Sequence, residues 1–206
     1  MDYHQIDLKG KKALFFDCDG TLADTMPAHN KAYELAFLLN GVPWSKTEHE
    51  KWAGFGGSVL MDKTVAAIGY EDKIESIIRD KQKLLPFCLE KFMRPNHDII
   101  RWIKFLRETK KIRIFIVSNG RRNSIINILN ALDIAYKIDG LITPELVAYP
   151  KPSPDLYNFA LALATHDVKE LVRPEDVIVF EDNDIGMNAA KNAGIKNIIE
   201  VKTNEF

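Results

Sequence analysis

The chain has 206 residues, of which 46% are apolar and 10% aromatic. That is enough for one sizeable core, which excludes global disorder, and too short for an assembly of many domains. Lys and Arg number 28 against 29 Asp and Glu, with nine of each sign between Thr25 and Met93. No region is strongly basic, which argues against nucleic acid as the partner. The longest apolar runs, such as Phe159 to Ala164, fall far below the ~18 residues that cross a bilayer, and Met1 to Lys12 holds no signal-peptide stretch. The expectation is a cytoplasmic protein with no membrane partner. Cys18 and Cys88 lie in unlike contexts and give neither a disulfide framework nor metal-ligand spacing.

In chain order, the first strand expected is Ala13 to Phe16, a short β-branched and aromatic run bounded by polar residues. From Thr25 to Met93 no strand pattern follows. The apolar spacing is helical instead, through Tyr33, Leu35, Ala36, Phe37 and Leu39, then Val59, Leu60, Val65 and Ile68, then Ile74, Ile77, Ile78 and Leu85. This reads as a small helical bundle inserted after the first strand, with Pro95 marking the return. A helix with Ile99, Trp102, Ile103 and Leu106 on one face precedes the strand Ile112 to Val117. Another follows, with Ile125, Ile128, Leu129 and Leu132. A weaker strand covers Ile138 to Ile142, and strands Val177 to Phe180 and Ile198 to Val201 complete the series. Alternation of strand and helix predicts a doubly wound α/β parallel sheet, whose ligands bind at the carboxyl ends of the strands. The domains expected are a core of residues 1–24 with 94–206 and a cap of residues 25–93. No internal repeat is present.

The chemistry collects at those strand ends. The first strand runs into Asp17-Cys18-Asp19-Gly20-Thr21, two carboxylates followed by a glycine. A turn whose Asp residues only accept backbone N–H bonds has the same look, whereas a calcium loop would need a further carboxylate and a distant Glu that are missing. The second main strand ends in Ser118-Asn119-Gly120, a hydroxyl with free amides suited to a phosphate oxygen, or simply a helix cap. Lys151 lies among prolines in Pro150-Lys151-Pro152-Ser153-Pro154, where a restricted loop can aim its charge. Val177 to Phe180 runs into Glu181-Asp182-Asn183-Asp184. Facing carboxylate pairs repel unless a hard divalent cation sits between them, while Asp184 has an alternative role as a helix cap.

This order of motifs resembles the haloacid dehalogenase superfamily of phosphotransferases, with Asp17-x-Asp19-Gly20-Thr21, Ser118, Lys151 and Glu181-Asp182 as its four motifs. More narrowly it is similar to the β-phosphoglucomutase and sugar-phosphatase branch. The shared features are Thr21-Leu22-x-Asp24-Thr25, His29, Lys151-Pro152-x-Pro154-Asp155 and Glu181-Asp182-x-x-x-Gly186. The resemblance implies that Asp17 is the nucleophile, forming an aspartyl-phosphate, and that Asp19 is the general acid and base. It implies Mg²⁺ held by Asp17, Asp182, the backbone carbonyl of Asp19 and Glu181, directly or through water. Ser118, the amide of Asn119 and Lys151 would hold the phosphoryl oxygens, and His29 would belong with the substrate and cap residues.

Two departures stand out. Pro95-Asn96-His97 replaces the usual Pro-x-Gly at the return to the core, and Pro150 precedes Lys151 where a Gly is common. The segment Trp52-Ala53-Gly54-Phe55-Gly56-Gly57-Ser58 is the candidate substrate loop, through Trp52, Gly56 and Gly57. The expected function is a Mg²⁺-dependent phosphatase of a small phosphorylated metabolite, working as a monomer. A sugar phosphomutase and a non-catalytic binding protein are the alternatives. Against the mutase, no Arg or Lys lies between Gly54 and Leu60 to grip a second phosphate.

Overall fold

The structure, a computed structural model, describes residues 3–45, 47, 69–109, 112–166 and 171–202. Among them are seven strands: β1 (Ala13–Phe16), β2 (Ala23–Asp24), β3 (Arg94–Pro95), β4 (Arg113–Val117), β5 (Gly140–Ile142), β6 (Val177–Glu181) and β7 (Ile198–Glu200). The helices are α1 (Met26–Leu39), α2 (Ile74–Phe92), α3 (His97–Thr109), α4 (Arg122–Ala131), α5 (Asp155–Thr165) and α6 (Asp184–Asn192). Five strands form one sheet in the order β5-β4-β1-β6-β7, every neighbouring pair parallel.

Side chains alternate across a strand, so the register decides which ones share a face. Leu14 lies beside Ile114 and Ile178, and Phe16 beside Ile116 and Phe180. These six residues share one hydrophobic cluster with the inner faces of α3 and α4. Ala13, Phe15, Phe115, Val117, Val177 and Val179 point the other way, into a second cluster with α5 and α6. Both faces are covered, so the central strands read as unbroken apolar runs rather than alternating ones. The α/β parallel fold expected from the sequence is the fold observed.

After β1 the chain leaves the sheet through β2 and enters α1. Tyr33, Ala36, Phe37, Val42 and Ile77 form a small cluster joining α1 to α2, and Trp44 stacks on Tyr33 with centroids 6.0 Å apart. The way out and the way back are tied together by the antiparallel ribbon β2–β3, in which Ala23 faces Pro95 and Asp24 faces Arg94. Asp24 and Arg94 also form an ion pair. At this junction Pro95-Asn96-His97 has His97 in place of the expected glycine, and Asn96 fastens the turn. Its N–H donates to the Leu22 carbonyl at 2.9 Å, its side-chain amide donates to the Thr21 carbonyl at 3.2 Å, and its Oδ1 accepts from Ile99 N–H at 3.3 Å. The ribbon was not expected from the sequence, because two-residue strands carry no periodicity. Trp52, Gly56 and Gly57 lie outside the described residues. Among the described residues no helix is long and apolar enough to cross a membrane.

Candidate active site

Asp17 follows β1 directly, its backbone N–H bonded to the Phe180 carbonyl at 2.9 Å. It is buried, at the edge where Ser118 follows β4 and where β6 ends in Glu181, with Asp182 next. Lys151 reaches the same place from the loop before α5. Its ammonium donates to Asp17 Oδ1 at 2.8 Å, to Glu181 Oε1 at 2.5 Å and to the Val117 carbonyl at 2.6 Å, which engages all three of its protons. The loop is held by Asn119. The Asn119 side-chain amide donates to the Lys151 carbonyl at 3.0 Å, and its Oδ1 accepts from the Lys151 N–H at 2.9 Å. Ser118 is buried, and its Oγ accepts from Gly120 N–H at 3.0 Å, an intraloop bond rather than a helix cap. Asp184 does not cap α6 either. That cap is Asn183, whose Oδ1 accepts from Gly186 N–H at 3.0 Å, because Asn183 is the residue with extended backbone at that end.

One carboxylate oxygen from each of Asp17, Glu181 and Asp182 lies within 4.8 Å of the others. Burial raises the Asp17 carboxyl well above its ordinary range. Lys151 opposes this, while Glu181, Asp182 and Asp19 add to it. Burial and the charge of Glu181 push Asp182 up to about 6. Burial alone would lower Lys151, but Asp17 and Glu181 hold it above the usual lysine range. Three carboxylates face one ammonium, a surplus of negative charge that a hard divalent cation would neutralise. Two further features fit such an ion. Glu181 Oε2 is buried with no hydrogen-bond partner, and the glycines beside the cluster leave no room for a side chain. A Cβ on Gly20 would lie 2.6 Å from Asp182 Cγ, and one on Gly186 would fall on the Glu181 carboxylate.

Asp19 sits apart from that cluster, half-buried and turned toward the helical insertion. Its Oδ1 accepts from Thr25 Oγ1 at 2.5 Å and lies 3.5 Å from His29 Nε2. Burial pushes the Asp19 carboxyl up, but the neighbouring His29, the Thr25 hydroxyl and the charge of Lys81 outweigh it and leave Asp19 below its usual range. Burial, then Lys81, lowers His29.

Lys81 is the residue that sequence reasoning missed here. It is buried on α2, its ammonium 5.1 Å from the centre of the Tyr33 ring, and burial brings it down to about 8. The signal was present in the spacing, because Lys81 falls between Ile77 and Leu85 on the buried stripe of α2, where a cation is out of place unless it has work to do. Tyr157 was missed as well; its hydroxyl donates to Glu181 Oε1 at 2.6 Å.

A model of the haloacid dehalogenase-like hydrolase family matches residues 11–194. The chain is 26% identical to the phosphorylated carbohydrates phosphatase of Thermotoga maritima, over 92% of this chain and 85% of that one. It is also 26% identical to the β-phosphoglucomutase of Bacillus subtilis, over 89% and 80%. The crystal structure of CbbY from Rhodobacter sphaeroides in complex with phosphate superposes with a TM-score of 0.74 at 25% identity, over 94% of this chain and 88% of that one. With the family match covering β1, β4, β5 and β6 of the sheet and every strand end that bears the cluster, the chain belongs to the haloacid dehalogenase-like hydrolases.

Proposed function

We propose that the protein is a Mg²⁺-dependent phosphatase of a small phosphorylated metabolite, of the sugar-phosphate class, acting in the cytoplasm as a monomer. The observation that carries this reading is Asp17. It is a buried carboxylate at a strand end, beside one fixed ammonium and two more carboxylates, with a second acid, Asp19, two residues on and held by Thr25 and His29. The names of the phosphatase and mutase relatives support the substrate class. Residues 25–93 act as a cap over the site, with Trp52, Gly56 and Gly57 in its substrate loop.

In this reading Asp17 attacks phosphorus, the bond from phosphorus to the ester oxygen breaks, and Asp19 gives that oxygen a proton. A water then attacks the aspartyl-phosphate and loses its proton to Asp19, and the bond between phosphorus and Asp17 breaks, releasing inorganic phosphate. Asp19 is held ionised in the free protein, ready for the second half. Entry of a phosphate dianion raises its proton affinity and equips it for the first. Thr25 and His29 keep it turned toward the substrate side. Ser118, the backbone amide of Asn119 and Lys151 hold the phosphoryl oxygens. Every Lys151 proton is engaged in the free protein, so an arriving phosphoryl oxygen competes with Asp17 for one of them and frees the nucleophile as it binds. Mg²⁺ bound by Asp17, Asp182, the Asp19 carbonyl and Glu181 supplies charge neutralisation between the two anions.

A sugar phosphomutase is the second reading, and one observation favours it. The charge of Arg121 acts on Lys81 and Tyr33, and that of Lys81 acts on Asp19 and His29. Two cations beyond the core site could hold a distal phosphate. The deciding assay supplies β-glucose 1-phosphate with a trace of the 1,6-bisphosphate and follows inorganic phosphate and glucose 6-phosphate together. The phosphatase reading expects inorganic phosphate to dominate. Faster accumulation of glucose 6-phosphate replaces it with the mutase. No turnover of p-nitrophenyl phosphate or of a phosphorylated-metabolite panel, with or without Mg²⁺, leaves a binding protein on this fold.

A further inference from the structure

Tyr157 lies in the second position of the buried stripe of α5, among Leu156, Ala160 and Ala164. Its ring packs against Phe15, centroids 6.4 Å apart, and lies 5.2 Å from the Lys151 ammonium. For those contacts a phenylalanine would serve, and it would not bring a hydroxyl into a fully buried site where an unbonded one is costly. The hydroxyl donates to Glu181 Oε1, at 2.6 Å. Burial and the charge of Glu181 push the phenol well above its ordinary range, so it stays a donor.

The effect of that bond depends on what else touches Glu181. Oε1 receives two donors, Tyr157 and Lys151, while Oε2 is buried and receives none. Behind the carboxylate, Gly186 leaves no space for a Cβ, so the group is held from the back as well. Lys151 alone is a poor anchor, since it also serves Asp17 and Val117 and shifts when a phosphoryl oxygen takes one of its protons. The phenol is free of that competition. We propose that Tyr157 is a positioning residue of the divalent-cation site, fixing Glu181 through Oε1 so that the unpartnered oxygen stays presented beside Asp17 and Asp182. This rests on the metal-dependent reading above, and it makes α5 a support of the cation site as well as of the sheet.

The test is calorimetric titration of Mg²⁺ into the full, metal-stripped chain, with no turnover involved. Tyr157→Phe keeps the ring and removes the donor. Loss of an outer-shell partner of this kind should weaken Mg²⁺ binding by about 10-fold. In a Glu181→Gln background the same substitution should change Mg²⁺ affinity no further, because its route through the carboxylate is gone. Equal Mg²⁺ affinity in wild type and Tyr157→Phe, or an equal loss in both backgrounds, overturns the proposal while leaving the metal-dependent reading intact. Failure of the wild type to take up Mg²⁺ overturns that reading, and this one with it. Should circular dichroism show Tyr157→Phe unfolded, p-aminophenylalanine at position 157 keeps the ring and a poorer donor. Binding weakened severalfold then supports the proposal, and wild-type affinity refutes it.

Discussion

Gly20→Ala and Gly10→Ala together separate backbone strain from damage to the site. Both glycines have the left-handed backbone that L side chains avoid, with φ of +89° and +73°. At Gly10 an added Cβ meets nothing within 4 Å, whereas at Gly20 it lies 2.6 Å from Asp182 Cγ. The strain should cost each variant about 1–2 kcal/mol, which for a chain of this size lowers Tm by about 2–8 °C. Only Gly20→Ala also displaces Asp182, one of the three carboxylates that converge within 4.8 Å. Misplacing a ligand of a hard cation should raise the Mg²⁺ concentration for half-maximal p-nitrophenyl phosphate hydrolysis by about 10-fold or more. Thermal denaturation and a Mg²⁺ titration of activity, run on both variants, read the two effects separately. If Gly20→Ala alters the Mg²⁺ dependence no more than Gly10→Ala does, Asp182 is not where the cation is held.

Because Asp182 is pushed up to about 6 by burial and by Glu181, protons and Mg²⁺ should compete for it. Apparent Mg²⁺ affinity should fall as pH drops below ~6, as calorimetry at several pH values will show. The same shift carries a sign for stability: a carboxyl raised on folding stabilises below its ordinary pKa, and that contribution is lost as pH rises through the folded value. Added Mg²⁺ should therefore raise Tm more at about pH 7.5 than at about pH 5, and an equal rise at both would contradict the assignment. Lys151→Met should abolish turnover and destabilise the fold by about 3–5 kcal/mol, since it leaves Asp17 and Glu181 buried without their cation. A Tm like that of wild type would show the ion pair to be unimportant.

The core of the candidate site was legible because the fold class puts function at strand ends, and there the text changes abruptly from apolar to charged. Asp17 after Phe16, Ser118 after Val117 and Glu181 after Phe180 are such junctions. The parallel sheet was legible for a related reason, since strands covered on both faces keep their polar residues to the ends, as Arg113 and Glu181 show, and leave unbroken apolar runs between. What remained hidden depends on contacts across the chain. Asn119 looks like a turn residue until its side chain is seen clasping the Lys151 backbone, thirty-two positions away. Tyr157 reads as a core aromatic, since nothing local tells which way its hydroxyl points. Lys81 did leave a trace, as a cation on the apolar stripe of α2, but a stripe of that length is normally excused one snorkelling lysine. The β2–β3 ribbon is too short to leave a pattern at all.

The central claim is that Asp17 carries the phosphoryl group, and trapping that adduct tests it most directly. p-Nitrophenyl phosphate has a leaving group acidic enough to depart without a proton, so in Asp19→Asn the first half-reaction should proceed while activation of water for the second is slowed by about 10² to 10⁴. Acid-quenched Asp19→Asn, with Mg²⁺ and p-nitrophenyl phosphate, should show a burst of p-nitrophenol and, by peptide mass spectrometry, a phosphoryl group on Asp17. A burst with no adduct on Asp17, or with the adduct on another residue, would contradict the account.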